Sequence, residues 1–179
     1  LVNKSEFYEQ TIHNLKKPIK IVFITDPQLN RFKNDEWAEK IVAKTEETQP
    51  DMVIFGGDLI SNEGYFYETS SPNTSVGAEA EWLNIFAKIT EKYPSYYVLG
   101  NHEYGLGNSN RFDPDHWTGV QSQAVIYEME KIGAKSLNNR LACVAVATQN
   151  ICLFGIDDLW GAKAGLPMFD FSELKNCNQ

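Results

Sequence analysis

The chain has 179 residues, 42% of them hydrophobic and 22% charged, enough for one globular domain with a real core and short of two. Its formal charge of −8 argues against a nucleic-acid surface, which requires basic stripes. No run approaches the roughly 20 apolar residues of a membrane span. Three cysteines, Cys143, Cys152 and Cys177, have no metal-finger spacing, and an odd set cannot close into a disulfide framework. Cys143 and Cys152 sit in apolar runs and are expected as small core residues. The chain opens on Leu1-Val2 with no signal pattern. An upstream anchor, and with it membrane association of the native protein, stays open, as do compartment and oligomeric state.

In chain order, Lys4 to His13 alternates loosely and predicts an edge strand. Ile19 to Thr25 is a β-branched run of the kind buried on both faces of a sheet, stopped at Asp26-Pro27-Gln28. Asn34 caps a predicted helix with Asp35 and Glu36 in its first turn. Trp37, Ile41, Val42 and Thr45 form its apolar face, and Gln49-Pro50 ends it. Met52 to Phe55 is a second short strand, followed by Gly56-Gly57-Asp58. Ser61 to Gly77 is a long polar loop, and such loops are commonly functional or mobile. Its Tyr65, Phe66 and Tyr67 suit a substrate entrance and a packed loop equally well.

Glu79 to Lys92 is helical, with Trp82, Ile85, Phe86 and Ile89 on one face, and Tyr96 to Leu99 is a third strand ending at Gly100-Asn101-His102-Glu103. Val120 to Ile132 is a helix closed by Gly133. Leu141 to Thr148 and Ile151 to Ile156 are expected to form a hairpin about Gln149-Asn150. Asp157 and Asp158 follow it and read first as capping groups, with approach to the same cleft as the alternative. Asp170-Phe171-Ser172-Glu173 has the form of a capping box.

Helical crossovers between the strands ending at Thr25, Phe55 and Leu99 imply a parallel sheet. Ligands collect at the carboxyl edge of such sheets, so Asp26, Gln28, Asp58, Asn101 and His102 are expected to converge there. Carboxylates and amides are hard oxygen donors suited to divalent cations. No glycine-rich phosphate loop follows the first strand, which argues against a common nucleotide fold.

Asp-Pro-Gln, Gly-Gly-Asp and Gly-Asn-His-Glu, in this order, resemble the Asp-x-His, Gly-Asp and Gly-Asn-His-Asp/Glu motifs of the calcineurin-like metallophosphoesterases. The resemblance runs from Ile19 to about Trp160, and Gly100 to Glu103 is its most specific part. It looks closest to the single-domain bacterial phosphohydrolases, which carry a similar Gly-Ile-Asp-Asp segment. It implies a four-layer α/β/β/α sandwich and a two-metal site holding Mn, Fe or Zn. Asp26 would bind one metal, Asp58 would bridge both, and Asn101 would bind the second. His102 would contact the phosphate or protonate the leaving oxygen. Two cations about 3.5–4 Å apart would polarise the phosphoryl group and lower the pKa of a bridging water for in-line attack. The implied substrates are phosphorylated small molecules or lipids, whether monoester, diester or pyrophosphate.

Two departures qualify this. Gln28 stands where the family usually has a metal-binding histidine, and its amide oxygen would coordinate more weakly. The family's later histidines, including a Gly-His-x-His motif, have no counterpart, since the chain holds only His13, His102 and His116. The first is read as an exposed strand residue, and the last, in a loop, is a weak candidate for the site. The resemblance therefore implies one domain over 1–179 with an incomplete second sheet and a site completed by residues outside this chain. Little hydrolysis of p-nitrophenyl phosphate with Mn²⁺ is expected from this polypeptide alone. The alternative is a non-catalytic interaction module that keeps the fold.

Overall fold

A computed structural model describes residues 6–11, 15–30, 32–61, 80–105, 120–146 and 148–159, with 161, 168, 170–172 and 175 beyond them. Four short strands, β1 (Ile21–Ile24), β2 (Met52–Phe55), β3 (Ser95–Tyr97) and β4 (Lys135–Ser136), form one parallel sheet in the spatial order β1-β2-β3-β4. β5 (Arg140–Val146) and β6 (Gln149–Gly155) form a separate antiparallel hairpin. The crossovers are α1 (Asp35–Thr48), a 3₁₀ turn (Trp82–Phe86) running into α2 (Ala87–Thr90), and α3 (Val120–Lys131).

Side-chain alternation in the sheet separates two cores. Val53, Phe55, Ile24 and Tyr97 face the helices and pack with Ala38 and Val42 of α1, Leu83, Phe86 and Ile89, and Val125 and Met129 of α3. Met52, Ile54, Tyr96 and Val98 face the other way, against Val144, Val146, Ile151 and Leu153 of the hairpin. Helices, parallel sheet and hairpin are three of the four layers the sequence implies, and the α/β class stands. Of the fourth layer, outside the hairpin, the described residues show the 3₁₀ residues Phe171 and Ser172, with the Phe171 ring 5.8 Å from that of Phe154.

α1 starts as predicted, with the Asn34 Oδ1 accepting the Glu36 amide at 3.3 Å. It stops at Gln49 in the left-handed region (φ 49°), just before Pro50. The helix expected over Glu79 to Lys92 is α-helical at Ala80 and Glu81, passes through the 3₁₀ turn and resumes as α2. β3 is shorter than Tyr96 to Leu99, because the Leu99 amide leaves the ladder and donates to the Asn138 side chain at 2.8 Å. β4 was not anticipated.

Other expectations change. Residues 6–11 form no strand, with Phe7 and Tyr8 exposed; loose alternation without a pairing partner does not hold one, and His13 lies outside the described residues. The hairpin closes at Val146↔Gln149 rather than about Gln149-Asn150. In this register Cys143 and Cys152 are exposed on the outer face instead of buried, while Val144 and Ile151 point inward. The loop bearing Tyr65, Phe66 and Tyr67, His116, and Glu173 of the capping box lie outside the described residues, although Asp170 Oδ1 does accept the Ser172 amide at 2.8 Å.

The inter-sheet face is unevenly covered. Ile21 and Phe23 of edge strand β1 remain 42% and 61% exposed. Phe55, by contrast, is fully buried and lies 5.2 Å from the Phe86 ring, centroid to centroid. Phe55→Ala is expected to cost about 3–5 kcal/mol in urea unfolding. Ile21→Thr should cost below about 1 kcal/mol, in keeping with substitution at a surface position.

Candidate functional site

The three strand ends are stitched together by backbone before any side chain is considered. The Asp26 amide donates to Gly57 O at 3.1 Å and the Gln28 amide to Asp58 O at 3.0 Å. Pro27 has no amide to donate and falls between these two bonds. Leu29 and Ile60 continue the contact as a parallel bridge. The β1 and β2 loops thus run side by side past the sheet, carrying Asp26 and Asp58 with them.

On the other side, Gly57 (φ +90°) lies so near β3's exit that a Cβ there would come within 2.5 Å of Gly100 N. A Cβ on Gly100 would in turn strike the Asp58 carboxylate. Only glycine at both positions permits this approach.

Glu103, 1% exposed, locks the junction. Its Oε2 accepts the amides of Asp58 (2.9 Å) and Gly100 (2.7 Å), and its Oε1 those of Leu59 (2.7 Å) and Ile60 (3.3 Å). Burial, reinforced by the nearby Asp58 charge, pushes its pKa up to about 7, against the pull of the amides. With N–H donors on both oxygens, the ionised carboxylate is the form that satisfies every partner.

Asp26, Asp58 and Asn101 line one cavity of about 410 Å³, together with Thr25, Asp157 and Asp158. Asp58 Oδ1 accepts the His102 amide at 3.0 Å, and Asp26 Oδ2 accepts the Thr25 hydroxyl at 2.6 Å. Burial first, then the charges of Asp26 and Asp158, raise the Asp58 pKa against the His102 interaction. Two further expected residues are not brought to the lining. The Gln28 side chain is half-buried outside it, and so is the His102 imidazole, whose Nδ1 has no hydrogen-bond partner among the described residues.

Asp26, Gln28 and Asp58 all hold left-handed backbone, at φ 55°, 47° and 52°. Non-glycine residues there store strain of order 1–3 kcal/mol each, which persists where surrounding contacts over-determine the conformation. The zipped loops are such contacts.

The second sheet also reaches the cavity. Asp157 is buried; its Oδ2 accepts the Tyr104 hydroxyl at 2.5 Å and its Oδ1 the Asp158 amide at 2.9 Å. Its own amide donates to Asn139 Oδ1 at 3.0 Å. Burial raises its pKa and the Tyr104 and Asp158 hydrogen bonds oppose the rise. Asp157 therefore caps, as first read, and both aspartates also line the cleft. Sequence reasoning assigned no role to Glu103 or Tyr104. An acidic residue directly after Asn101-His102, at a turn with no cationic neighbour, was the available sign.

The donor set suits a hard cation: carboxylate and amide oxygens converge, and the burial and neighbouring charges that raise Asp58 are what a positive ion would offset. Among the described residues no group of three or more His, Cys, Asp or Glu is arranged to hold a metal by itself. A helix-backed parallel sheet with oxygen donors at its carboxyl edge defines an α/β protein of the kind whose ligands collect at that edge.

The calcineurin-like phosphoesterase family profile matches residues 19–168, and the chain belongs to that family. Membership implies divalent metal ions. The chain is 31% identical over 102 residues to an uncharacterized metallophosphoesterase of Campylobacter jejuni, covering 57% of this chain and 24% of that protein. It is 24% identical over 150 residues to phosphodiesterase YaeI of Escherichia coli, covering 84% of this chain and 47% of that protein. A transmembrane protein with metallophosphoesterase domain of Danio rerio is 26% identical over 144 residues, 79% of this chain and 27% of that protein. The chain thus spans less than half the length of each of these relatives.

Glu103→Gln replaces one acceptor oxygen by a donor facing buried amides. It is expected to destabilise the protein by about 3 kcal/mol or more in urea unfolding. Tyr104→Phe keeps the buried ring and removes only the hydroxyl, and should cost about 1.5–3 kcal/mol. In a double-mutant cycle with Asp157→Asn most of that cost should appear as coupling energy.

Proposed function

We infer that this chain forms the metal-binding and phosphate-binding edge of a metal-dependent phosphoester hydrolase. The observation that carries the reading is the convergence of Asp26, Asp58 and Asn101 on one cavity from three successive parallel strand ends. Family membership supports the same chemistry.

Asp26, Asp58 and Asn101 would hold the metal ions, two in the reading preferred here, with Mn, Fe or Zn compatible with carboxylate and amide donors. Bound there, the ions supply Lewis acidity toward a phosphoryl oxygen and charge neutralisation. The protein's own part is positional. The zipped β1 and β2 loops hold the two aspartates, and Glu103 fixes the Asp58 and Gly100 backbone. His102, next to Asn101, is the group proposed to contact the phosphate or donate a proton to the leaving oxygen, after a side-chain movement toward the cavity. Gln28 would act, if at all, as a weak amide donor after a side-chain movement toward the cavity.

A phosphodiester is the first substrate class to test, given the phosphodiesterase named among the relatives. Ile156 and Leu159 line the same cavity and are 52% and 71% exposed, which suits an apolar ester group such as an aryl or lipid chain. A non-catalytic module is the second reading, favoured by Gln28 lying outside the cavity lining.

The test is Mn²⁺-dependent hydrolysis of bis-p-nitrophenyl phosphate and p-nitrophenyl phosphate by the full-length protein, with Mn²⁺ binding followed by calorimetry. Asp58→Asn is expected to lower kcat/KM by more than the roughly 10–100-fold typical of losing a ligand-supporting group, and to weaken Mn²⁺ binding. Turnover and binding equal to wild type in Asp58→Asn would remove Asp58 from the site. A wild type that neither binds Mn²⁺ nor turns over would favour the module.

A further inference from the structure

Cys143 and Cys152 are direct cross-strand partners in the hairpin, and both are exposed. Their pair type follows from the register. Val146↔Gln149 closes the two-residue connection and can only be a hydrogen-bonded pair, since the residues between them are adjacent in sequence. Antiparallel pairs alternate, so Val144↔Ile151 is hydrogen-bonded and Cys143↔Cys152 is not. Non-hydrogen-bonded partners stand about 4.5 Å apart at Cα with side chains directed to the same face. That separation lies inside the roughly 4.4–6.8 Å that a disulfide spans.

The register runs unbroken from Arg140↔Gly155 to Val146↔Gln149, so no bulge turns the two side chains apart. The flanking pairs on the outer face, Leu141↔Phe154 and Ala145↔Asn150, place no charged side chain beside the thiols. The inner-face neighbours Val144 and Ile151 pack into the inter-sheet core and hold the strands in this register.

We propose that Cys143 and Cys152 are a redox-responsive pair that forms an internal cross-strand disulfide by exchange with a small external disulfide. One cysteine thiolate attacks the external disulfide and releases one thiol, leaving a mixed disulfide. The partner thiolate attacks that mixed disulfide at the protein sulfur and releases the second thiol. Two protein thiols become one S–S bond, and one external disulfide is reduced to two thiols. Both cysteines are exposed in this chain, which gives the external reagent access to either sulfur and leaves the bond open to reduction.

The chain offers a direct readout. Arg140 and Lys163 bracket both cysteines with no lysine or arginine between them, so tryptic cleavage yields a single peptide, 141–163, holding both and excluding Cys177. The full-length protein is treated with oxidised glutathione, alkylated without reduction, digested and weighed by mass spectrometry. The expected result is peptide 141–163 unalkylated and lighter than the reduced form by two hydrogens, reverting to double alkylation after dithiothreitol. Cys143→Ser should instead carry one glutathione at Cys152. Double alkylation persisting in oxidised glutathione, glutathione on both cysteines without an internal bond, or links to Cys177 or a second chain would each overturn the proposal.

Discussion

Four backbone amides from two loops end on one buried carboxylate. Glu103 satisfies Asp58, Leu59, Ile60 and Gly100, groups that would otherwise be donors without acceptors where β2 and β3 leave the sheet. Strand exits are where the regular ladder stops supplying partners, and here that shortage is met by a side chain from the very turn it stabilises. The cost is a charge in the interior, visible as a pKa pushed up to about 7. The return is a rigid relation between the β2 and β3 loops, and the close approach of Gly57 to Gly100 depends on it.

The acidic character of the edge follows a consistent division of labour. Glu103 and Asp157 have both oxygens committed to protein donors and serve as internal struts. Asp26, Asp58 and Asp158 line the cavity together with Asp157, and the charges of Asp26 and Asp158 beside Asp58 make a bound cation favourable. The struts come from both sheets: Asn138 accepts the Leu99 amide and Asn139 the Asp157 amide. One dipeptide between β4 and β5 thus touches the ends of β3 and β6 together.

Much of this was legible in the residues. Ile21–Ile24 and Met52–Phe55 announced themselves as short apolar runs that stop at aspartates, and the helix between them carried its cap at Asn34. Asp26, Asp58 and Asn101 could be gathered because parallel connection forces their strand ends onto one edge. Glu103's role could not, since its Asp58, Leu59 and Ile60 partners are backbone amides 43 to 45 residues away and leave no side-chain signature. β4 escaped because two residues, Lys135 and Ser136, carry no periodicity. The cysteines were misjudged because Leu141 to Val146 is apolar on both faces, and composition alone does not say which face meets the core. Gln28 and His102 were expected at the cavity from their place in the motifs; both are half-buried and neither is among its lining residues, the first in left-handed backbone after β1 and the second in a 3₁₀ turn, His102–Tyr104, after β3.

The spatial order β1-β2-β3-β4 repeats the order of the chain. No strand has to be inserted between two already paired, so each parallel pairing closes only one crossover. The loop-closure entropy of each pairing grows only slowly with the length of its crossover. The β1–β2 pairing brings the aspartates at both exits to one edge, and the turn that carries Glu103 comes only after β3 in the chain. An edge that gathers carboxylates from successive strands, with a neutralising partner supplied by none of them, has a stability tied to ionic strength and to any cation at the site.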